Sequence, residues 1–372
     1  MDLPSPQTEP MREALRLAAL AVGVSDPNPR VGCVIVGIDG RVIGRGHTQQ
    51  AGGLHAEAMA LRDAALHGES VRGATVFVTL EPCSHQGRTP PCSGALIAAG
   101  VGRVVMSVED PNPLVAGSGA ARLRAAGIDV EVGPGADESR ELNIGFFSRM
   151  QRGRPWVRLK AAISLDGRSA LADGASQWIT GVAARTDGHA FRKRAGAVLT
   201  GVGTVLDDDP RLDVRLVPTT TQPLRVIVDS RLEMPLSARV LQPPGRALVY
   251  AAAPSTERRA AFERQRIEVA LLPSAAGKVD LAAMLGDLAE QRGINELHIE
   301  AGHKLNGSFV REGLVDEFLI YIAPKLIGTG RELALFGALA SLDDAVGLHF
   351  ESVTPIGSDL RVVARRAAPD SA

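Results

Sequence analysis

Thr79-Leu80-Glu81-Pro82-Cys83-Ser84-His85-Gln86-Gly87-Arg88-Thr89-Pro90-Pro91-Cys92, with His55-Ala56-Glu57 upstream of it, decides how the first half of this chain is read. Ala74 to Leu80 (ATVFVTL) is an apolar, β-branched run that reads as a buried strand, so Cys83 sits just past a strand end. Thr89 reads as a helix N-cap with Pro90 at the first helical position. That puts Cys92 in the first turn, where the helix N-terminus favours a thiolate. His55 opens another helical stretch, His55 to Leu66. One imidazole and two thiolates are the donor set of a zinc site that leaves its fourth tetrahedral position to water. Glu57, two positions on from His55, adds a carboxylate that can serve as a base beside such a site. Taken singly, these residues would be core thiols and a surface histidine. Strand end, helix start, ligands and base agree only as one catalytic site. Cys33, inside VGCVIVG, is a small buried hydrophobe. His85, between the two cysteines, is a competing ligand, a group near the substrate, or neither.

Outward from this stretch, strands and helices alternate. Met11 to Val22 has helical spacing, and Val31 to Gly37 and Arg41 to Gly46 read as a hairpin around Asp39-Gly40. Ser93 to Ala99 and Ser118 to Ala126 are helical, and Arg103 to Val108 and Asp129 to Val132 are strands. Asp137 to Arg152 reads as one last helix, and the basic, Pro-containing run Arg149 to Pro155 closes the domain. The second half restarts with strands at Trp156 to Ile163, Ala197 to Thr200, Leu224 to Asp229, Ala247 to Ala252, Glu268 to Leu272, Glu296 to Ile299 and Val315 to Ile322. Helices at Ala183 to Ala195, Thr256 to Gln265 and Leu281 to Gln291 lie between them. Both halves are α/β layered sheets. The expected domains are residues 1–150 and 154–372.

Composition narrows the function class. The chain has 372 residues, enough for two cores. Lys+Arg number 41 against 42 Asp+Glu, so the formal charge is −1 and no strongly basic nucleic-acid surface is expected. Aromatics are 3%, too few for single-strand stacking platforms. MDLPSPQTEP has neither a basic nor an apolar segment of a secretory leader, and no apolar run is long enough to span a membrane. Three cysteines are no disulfide scaffold. A soluble, cytoplasmic, two-domain enzyme is expected, acting on small molecules, without nucleic-acid or membrane partners, and forming a homo-oligomer.

The pattern H-x-E…P-C…C is similar to that of zinc-dependent nucleobase deaminases, in which the Glu carries the proton. Most of that superfamily has P-C-x-x-C; here Cys92 follows Cys83 by nine positions, which lengthens the loop between the ligands. The whole run Thr79 to Cys92 resembles the deaminase half of the bifunctional riboflavin-biosynthesis deaminase/reductase family. So do Pro27-Asn28-Pro29-Arg30-Val31-Gly32 and Asp110-Pro111-Asn112-Pro113-Leu114-Val115-Ala116-Gly117. The resemblance implies a cytidine-deaminase-like αβα sandwich with Zn2+ on His55, Cys83 and Cys92 and with Glu57 catalytic. It also implies that Asn28, His47, Arg88, Asp110 and Asn112 surround the pyrimidine and its ribose phosphate.

In the second half the residues alone say less. There is no GxGxxG; two glycine turns follow strands, Gly201-Val202-Gly203-Thr204 and Gly302-His303, and each is either a phosphate-binding helix start or a plain turn. Asp207-Asp208-Asp209-Pro210 reads better as an acidic helix end than as a metal cluster. Leu159-Lys160, Ser164-Leu165-Asp166-Gly167-Arg168, Ser176-Gln177-Trp178-Ile179-Thr180, the GVGTV run, Asp208-Asp209-Pro210, Val228-Asp229-Ser230, Glu300-Ala301-Gly302 and Ala323-Pro324-Lys325-Leu326-Ile327-Gly328 resemble the reductase half of the same family. That implies a dihydrofolate-reductase-like α/β domain using NADPH. By position, Ala162, Trp178, Thr204, Asp208, Ser230 and the segment Gly302, His303, Lys304, Leu305, Asn306, Gly307 and Ser308 would hold the cofactor. Ser176, Arg192, Leu212, Arg215 and Glu300 would hold the ribose phosphate, and Lys160 would polarise the ribosyl centre.

One departure concerns Leu212-Asp213-Val214-Arg215, where the family commonly has Thr at the Asp position; strand alternation would turn that carboxylate away from the phosphate. Another is His303, where many relatives have Gly or Pro. Ser230 and Arg231 together make a hydroxyl–guanidinium pair suited to the 2′-phosphate of NADPH. Two rivals remain: a nucleic-acid-editing deaminase, which the charge balance opposes, and a non-catalytic zinc scaffold, which leaves Glu57 without a role.

Overall fold

The computed structural model describes residues 9–84, 90–113 and 115–367. The chain divides into two compact units, Met1–Arg154 and Pro155–Ala372.

In the first unit, α1 (Glu9–Ala19) precedes a hairpin of β1 (Gly32–Val36) and β2 (Val42–His47), then α2 (Ala56–Leu66) and β3 (Thr75–Val78). α3 (Cys92–Ala99), β4 (Arg103–Met106), α4 (Ser118–Ala125), β5 (Asp129–Val132), α5 (Ala136–Leu142) and α6 (Ile144–Arg152) follow. The sheet order is β2-β1-β3-β4-β5, with β1 antiparallel to β2 and β3, and with β3, β4 and β5 parallel. Cys33, Ile35, Val76, Val78, Val104 and Met106 pack from the sheet against Ala56, Ala60, Leu96 and Leu123. Gly32 pairs with His47 and Cys33 with Val78, so the start of β1 and the ends of β2, β3 and β4 share one edge of the sheet.

Two expectations fail here. The stretch Asp137–Arg152 is two helices, broken at Asn143, whose buried amide is committed elsewhere. Its Oδ1 accepts the Arg30 N–H at 2.7 Å and its Nδ2 donates to the Arg30 carbonyl at 2.9 Å. A buried amide held by two tertiary bonds overrides helical periodicity. Helix α3 starts at Cys92, not at Pro90. Pro91 is extended (ψ 130°) and offers no side-chain cap, and Thr89 lies outside the described residues. Cys92 is nonetheless in the first turn.

In the second unit, β6 (Trp156–Ser164), β7 (Arg168–Leu171), α7 (Val182–Arg194), β8 (Ala197–Gly201), α8 (Val202–Asp208), β9 (Leu224–Val228) and β10 (Ala247–Ala251) come first. They are followed by α9 (Thr256–Arg264), β11 (Glu268–Leu271), α10 (Leu281–Glu290), β12 (Glu296–Ile299), α11 (His303–Arg311), β13 (Glu317–Ala323), β14 (Gly330–Glu332), β15 (Leu348–Ile356) and β16 (Asp359–Arg366). Nine of these strands form one sheet in the order β11-β10-β9-β8-β12-β6-β13-β16-β15. It is parallel from β11 to β13 and antiparallel from there to its edge. From β8 the chain runs outward to β11, then returns to insert β12 between β8 and β6. Open α/β sheets bind ligands at such a reversal, beyond the carboxyl ends of the strands.

The final hairpin of β15 and β16 was not expected, because β15 is largely exposed and shows no apolar run. Leu212–Arg215 is not a strand either. It is irregular, with Leu212 in the left-handed region at φ 53° and its side chain in the core.

Candidate active sites

The first site sits on the sheet edge where β1 begins and β3 and β4 end. A Cβ on Gly46 would lie 2.2 Å from the Ala56 carbonyl and 2.5 Å from the Ala60 nitrogen, so only glycine in β2 lets the start of α2 lie against the sheet. That close approach holds His55 and Glu57 at the edge. Cys83 follows β3, and the Cys92 backbone N–H donates to the Cys83 sulfur at 3.3 Å. His55 Nδ1 is 3.6 Å from Cys83 Sγ and 3.5 Å from Cys92 Sγ, and the three ligand-type atoms all lie within 4.8 Å of one another.

The electrostatics match a metal site with a base beside it. The hydrogen bond from Cys92 pulls the Cys83 thiol well below its usual value, and the shared proton holds Cys92 well above it. One proton thus serves two sulfurs, a pair ready to bind a dication as thiolates. Glu57, 4% exposed, is pushed up to about 7 by burial and by the Cys83 charge. The compact His/Cys/Cys donor set fits Zn2+, with three soft or borderline ligands and a carboxyl outside the set.

His47 ends β2, Asn28 precedes β1, and Asp110 and Asn112 follow β4, so all lie on this same edge. Asn112 donates its backbone N–H to Asp110 Oδ1 at 2.8 Å. Arg88 and His85 lie outside the described residues. Sequence reasoning missed Glu81. It is buried, and its carboxylate accepts the backbone N–H groups of Asp110, Gly117 and Ala120 at 3.1, 2.9 and 3.0 Å, which fixes the 110–120 loop beside the site. A carboxylate at the end of an apolar strand, next to a ligand, was the signal.

In the second unit, a cavity of about 1070 Å³ lies beyond the carboxyl ends of β8, β9 and β12. Both glycine turns open helices there: Gly201 precedes α8 and Gly302 precedes α11. Thr204, Ser230, Gly302, His303, Lys304, Leu305 and Ser308 line it. Asn306 and Gly307 do not; Asn306 donates to the Leu333 carbonyl at 3.0 Å, and a Cβ on Gly307 would lie 1.9 Å from the Leu335 oxygen. Ala162 and Trp178 are also outside the lining, Trp178 stacking under the Arg185 guanidinium at 4.6 Å. Asp208 accepts from the Ser176 hydroxyl at 3.2 Å. Asp207 pairs with Arg331 and Asp209 accepts the Arg239 N–H, so the three acidic residues point apart as a helix end. Arg231 and Lys278 both line the cavity with Ser230; Arg231 also pairs with Glu233 at 2.8 Å, and the Ser230 Oγ accepts the Val279 N–H at 3.3 Å.

Next to the cavity, Glu300 at the end of β12 gathers cations. Arg192 from α7 grips it with two N–H groups, one at 2.9 Å, and Lys160 Nζ from β6 is 3.5 Å away. Burial pushes the Glu300 carboxyl up, but Arg192 and Lys160 outweigh it and hold the carboxyl well below its ordinary range. Arg192 also donates to the Asp213 carbonyl at 2.9 Å. Asp213 does not turn away: it is buried and bridges Arg215, at 2.5 Å, and Arg211, at 3.0 Å. With no strand there, alternation has no hold on it. Of the five residues assigned to the ribose phosphate, Arg192, Glu300 and Arg215 come together, Ser176 is tied to Asp208, and Leu212 offers only backbone.

Known proteins agree with both halves. Residues 4–108 match the cytidine and deoxycytidylate deaminase zinc-binding region, and residues 155–362 match the RibD C-terminal domain. The chain is 45% identical over 363 residues to the riboflavin biosynthesis protein RibD of Escherichia coli K12, covering 94% of this chain and 96% of that protein. It is similar to the structure of Acinetobacter baumannii RibD, with 40% identity, a TM-score of 0.88, and 96% and 98% of the two chains covered. The Thermotoga maritima diaminohydroxyphosphoribosylaminopyrimidine deaminase/5-amino-6-(5-phosphoribosylamino)uracil reductase is 34% identical, with a TM-score of 0.85 over 96% and 98% of the chains. With a zinc-type ligand set in one unit, a cofactor-sized cavity in the other and full-length likeness to these proteins, the chain belongs to the RibD family of riboflavin biosynthesis proteins.

Proposed function

We propose that this chain performs two consecutive steps on a pyrimidine ribose phosphate. The first is hydrolytic deamination of 2,5-diamino-6-(5-phosphoribosylamino)pyrimidin-4-one. The second is reduction of the ribosyl group of 5-amino-6-(5-phosphoribosylamino)uracil to ribityl. Residues 1–150 carry the deaminase and residues 154–372 the reductase. Bound Zn2+ supplies a Lewis acid that acidifies the attacking water, and bound NADPH supplies the hydride. His55, Cys83 and Cys92 hold the metal. Glu57 takes the water proton and delivers protons to the ring nitrogen and the departing ammonia. Asn28, His47, Arg88, Asp110 and Asn112 orient the pyrimidine and its phosphate.

In the reductase, C1′ gains the hydride, the bond from C1′ to the ring oxygen opens, and that oxygen gains a proton. Lys160 places a cation where negative charge develops on the oxygen, and Glu300 keeps Lys160 and Arg192 in place. Arg192, Arg215, Glu300, Ser176 and the Leu212 backbone hold the ribose phosphate. Thr204, Ser230, the 302–308 segment, Ala162, Trp178 and Asp208 serve the cofactor.

The observation that carries this reading is the buried Glu57 carboxyl beside three ligand atoms within 4.8 Å. Its test is a paired assay of the zinc-loaded chain: one ammonia released per diaminopyrimidine consumed, then one NADPH oxidised per product. Absence of ammonia release from protein with full zinc would refute it. The thiolate pair suits a reducing compartment, hence the cytoplasm. We also read the chain as a homo-oligomer. β15 is a sheet edge exposing Leu348, Phe350 (74% exposed) and Val353, which two copies can pair antiparallel. Sedimentation of Phe350→Lys tests this; an unchanged mass would remove the edge from any interface.

A further inference from the structure

Asp213 sits at an odd place for a carboxylate. It is 2% exposed, it lies among residues read as a phosphate site, and its negative charge would repel a phosphate dianion. Its partners resolve this. Oδ1 takes a guanidinium N–H of Arg215 at 2.5 Å, and Oδ2 takes Nε–H of Arg211 at 3.0 Å. The backbone carbonyl of the same residue accepts from Arg192. One buried residue therefore touches three arginines. Burial pushes the Asp213 carboxyl up, but the Arg215 hydrogen bond and the charges of Arg215, Arg211 and Arg192 outweigh it, so it is ionised at neutral pH.

We propose that Arg211, Asp213 and Arg215 act as one clamp on the substrate phosphate, with Arg211 a second phosphate-binding cation and Asp213 a positioning residue. The inference rests on the reading that Arg192 and Arg215 hold a ribose phosphate. Each guanidinium has five N–H donors in a planar fork, and Asp213 occupies one side of each, leaving further donors for a phosphate oxygen. Both heads are about two-fifths exposed (41% and 43%), so without the shared carboxylate they are free to swing in solvent.

The test is steady-state reduction by the full-length chain with NADPH, comparing the ribosylaminouracil 5-phosphate with its dephosphorylated counterpart. Arg211→Gln should raise KM for the phosphorylated substrate roughly 10-fold or more while kcat stays within about 2-fold, the size of one lost charge-assisted bond. KM for the dephosphorylated substrate should not move. Asp213→Asn has an opposed pair of effects that makes its sign decisive. Deleting a negative charge would tighten phosphate binding, whereas losing the clamp loosens it, and the clamp requires a higher KM. An unchanged KM in Arg211→Gln, or a lower KM in Asp213→Asn, overturns the proposal. Should Asp213→Asn not fold, Arg211→Gln and Arg211→Lys decide it; Lys restores charge but not the fork and should recover only part of the loss. Arg192→Ala separates the two levels: if it too leaves discrimination between the substrates intact, the phosphate does not bind here at all, and the underlying reading fails with the clamp.

Discussion

The proposed division of labour between Glu57 and the three ligand-type residues is testable one residue at a time. Glu57→Gln should retain a full equivalent of zinc and lose deamination by about 10²–10⁴-fold, the usual span for a general acid–base group. Metal analysis beside an ammonia assay checks this, and release of zinc would make Glu57 a ligand instead. Cys83→Ser should lose the metal. In the reductase, the proposed cofactor site puts cofactor choice on a cation near Ser230. Arg231 and Lys278 both line the cavity with Ser230, and Arg231 shares its charge with Glu233. Lys278→Ala should therefore narrow the NADPH/NADH ratio of kcat/KM by roughly 10-fold, about one charge-assisted contact, and Arg231→Ala by much less. Equal effects would return Arg231 to the 2′-phosphate.

At the scale of elements, sites depend on how closely a helix can approach a strand. The start of α2 rests on Gly46, and Gly46→Ala forces the helix outward, carrying His55 and Glu57 with it. Such overpacking costs about 1–3 kcal/mol, and zinc affinity should fall along with stability, read by a chelator titration beside a thermal melt. Helix α7 carries a pH-sensitive group. Burial, with the charges of Arg192 and Arg215, lowers His189 to about 4 against the favourable but smaller fields of Glu300 and Asp213. Its Nδ1 accepts the Arg215 N–H at 3.1 Å. Since the unfolded imidazole titrates near 6.5, the unfolded state binds the extra proton between pH 6.5 and 4. Stability of this unit should decline through that window as pH falls, and be unaffected by His189 above it. His189→Asn should flatten that decline by about 2 kcal/mol in denaturant unfolding. Parallel curves for parent and variant would mean His189 is charged in the fold.

For the whole molecule, the division after Arg154 sets how the two activities can be separated. Each unit has its own sheet, core and candidate site, and among the described residues the His55, Cys83 and Cys92 set belongs wholly to the first unit. Fragments cut at this division should each retain their own half-reaction. A reductase fragment that binds NADPH only when the zinc unit is added would contradict this.

The sequence determined what local chemistry can encode. The clustering of His55, Cys83 and Cys92 and the alternating elements follow from residue type at short spacing: Cys after an apolar strand, His before a helix, glycine at two strand ends. Both glycine turns and the helical reading of the acidic Asp207–Asp209 run were legible for the same reason. What the sequence left undecided depended on contacts that only the folded chain makes. Asn143 breaks a periodic helix because Arg30, more than a hundred residues away, takes its amide. Glu81 and Asp213 look like liabilities until the fold supplies three backbone N–H groups to one and two guanidiniums to the other. Asn306 and Gly307 lie outside the cavity lining because the 333–335 backbone is against them, a contact that no local pattern announces. A buried polar group is decided by what meets it in three dimensions, because the cost of leaving it unpaired exceeds any local propensity.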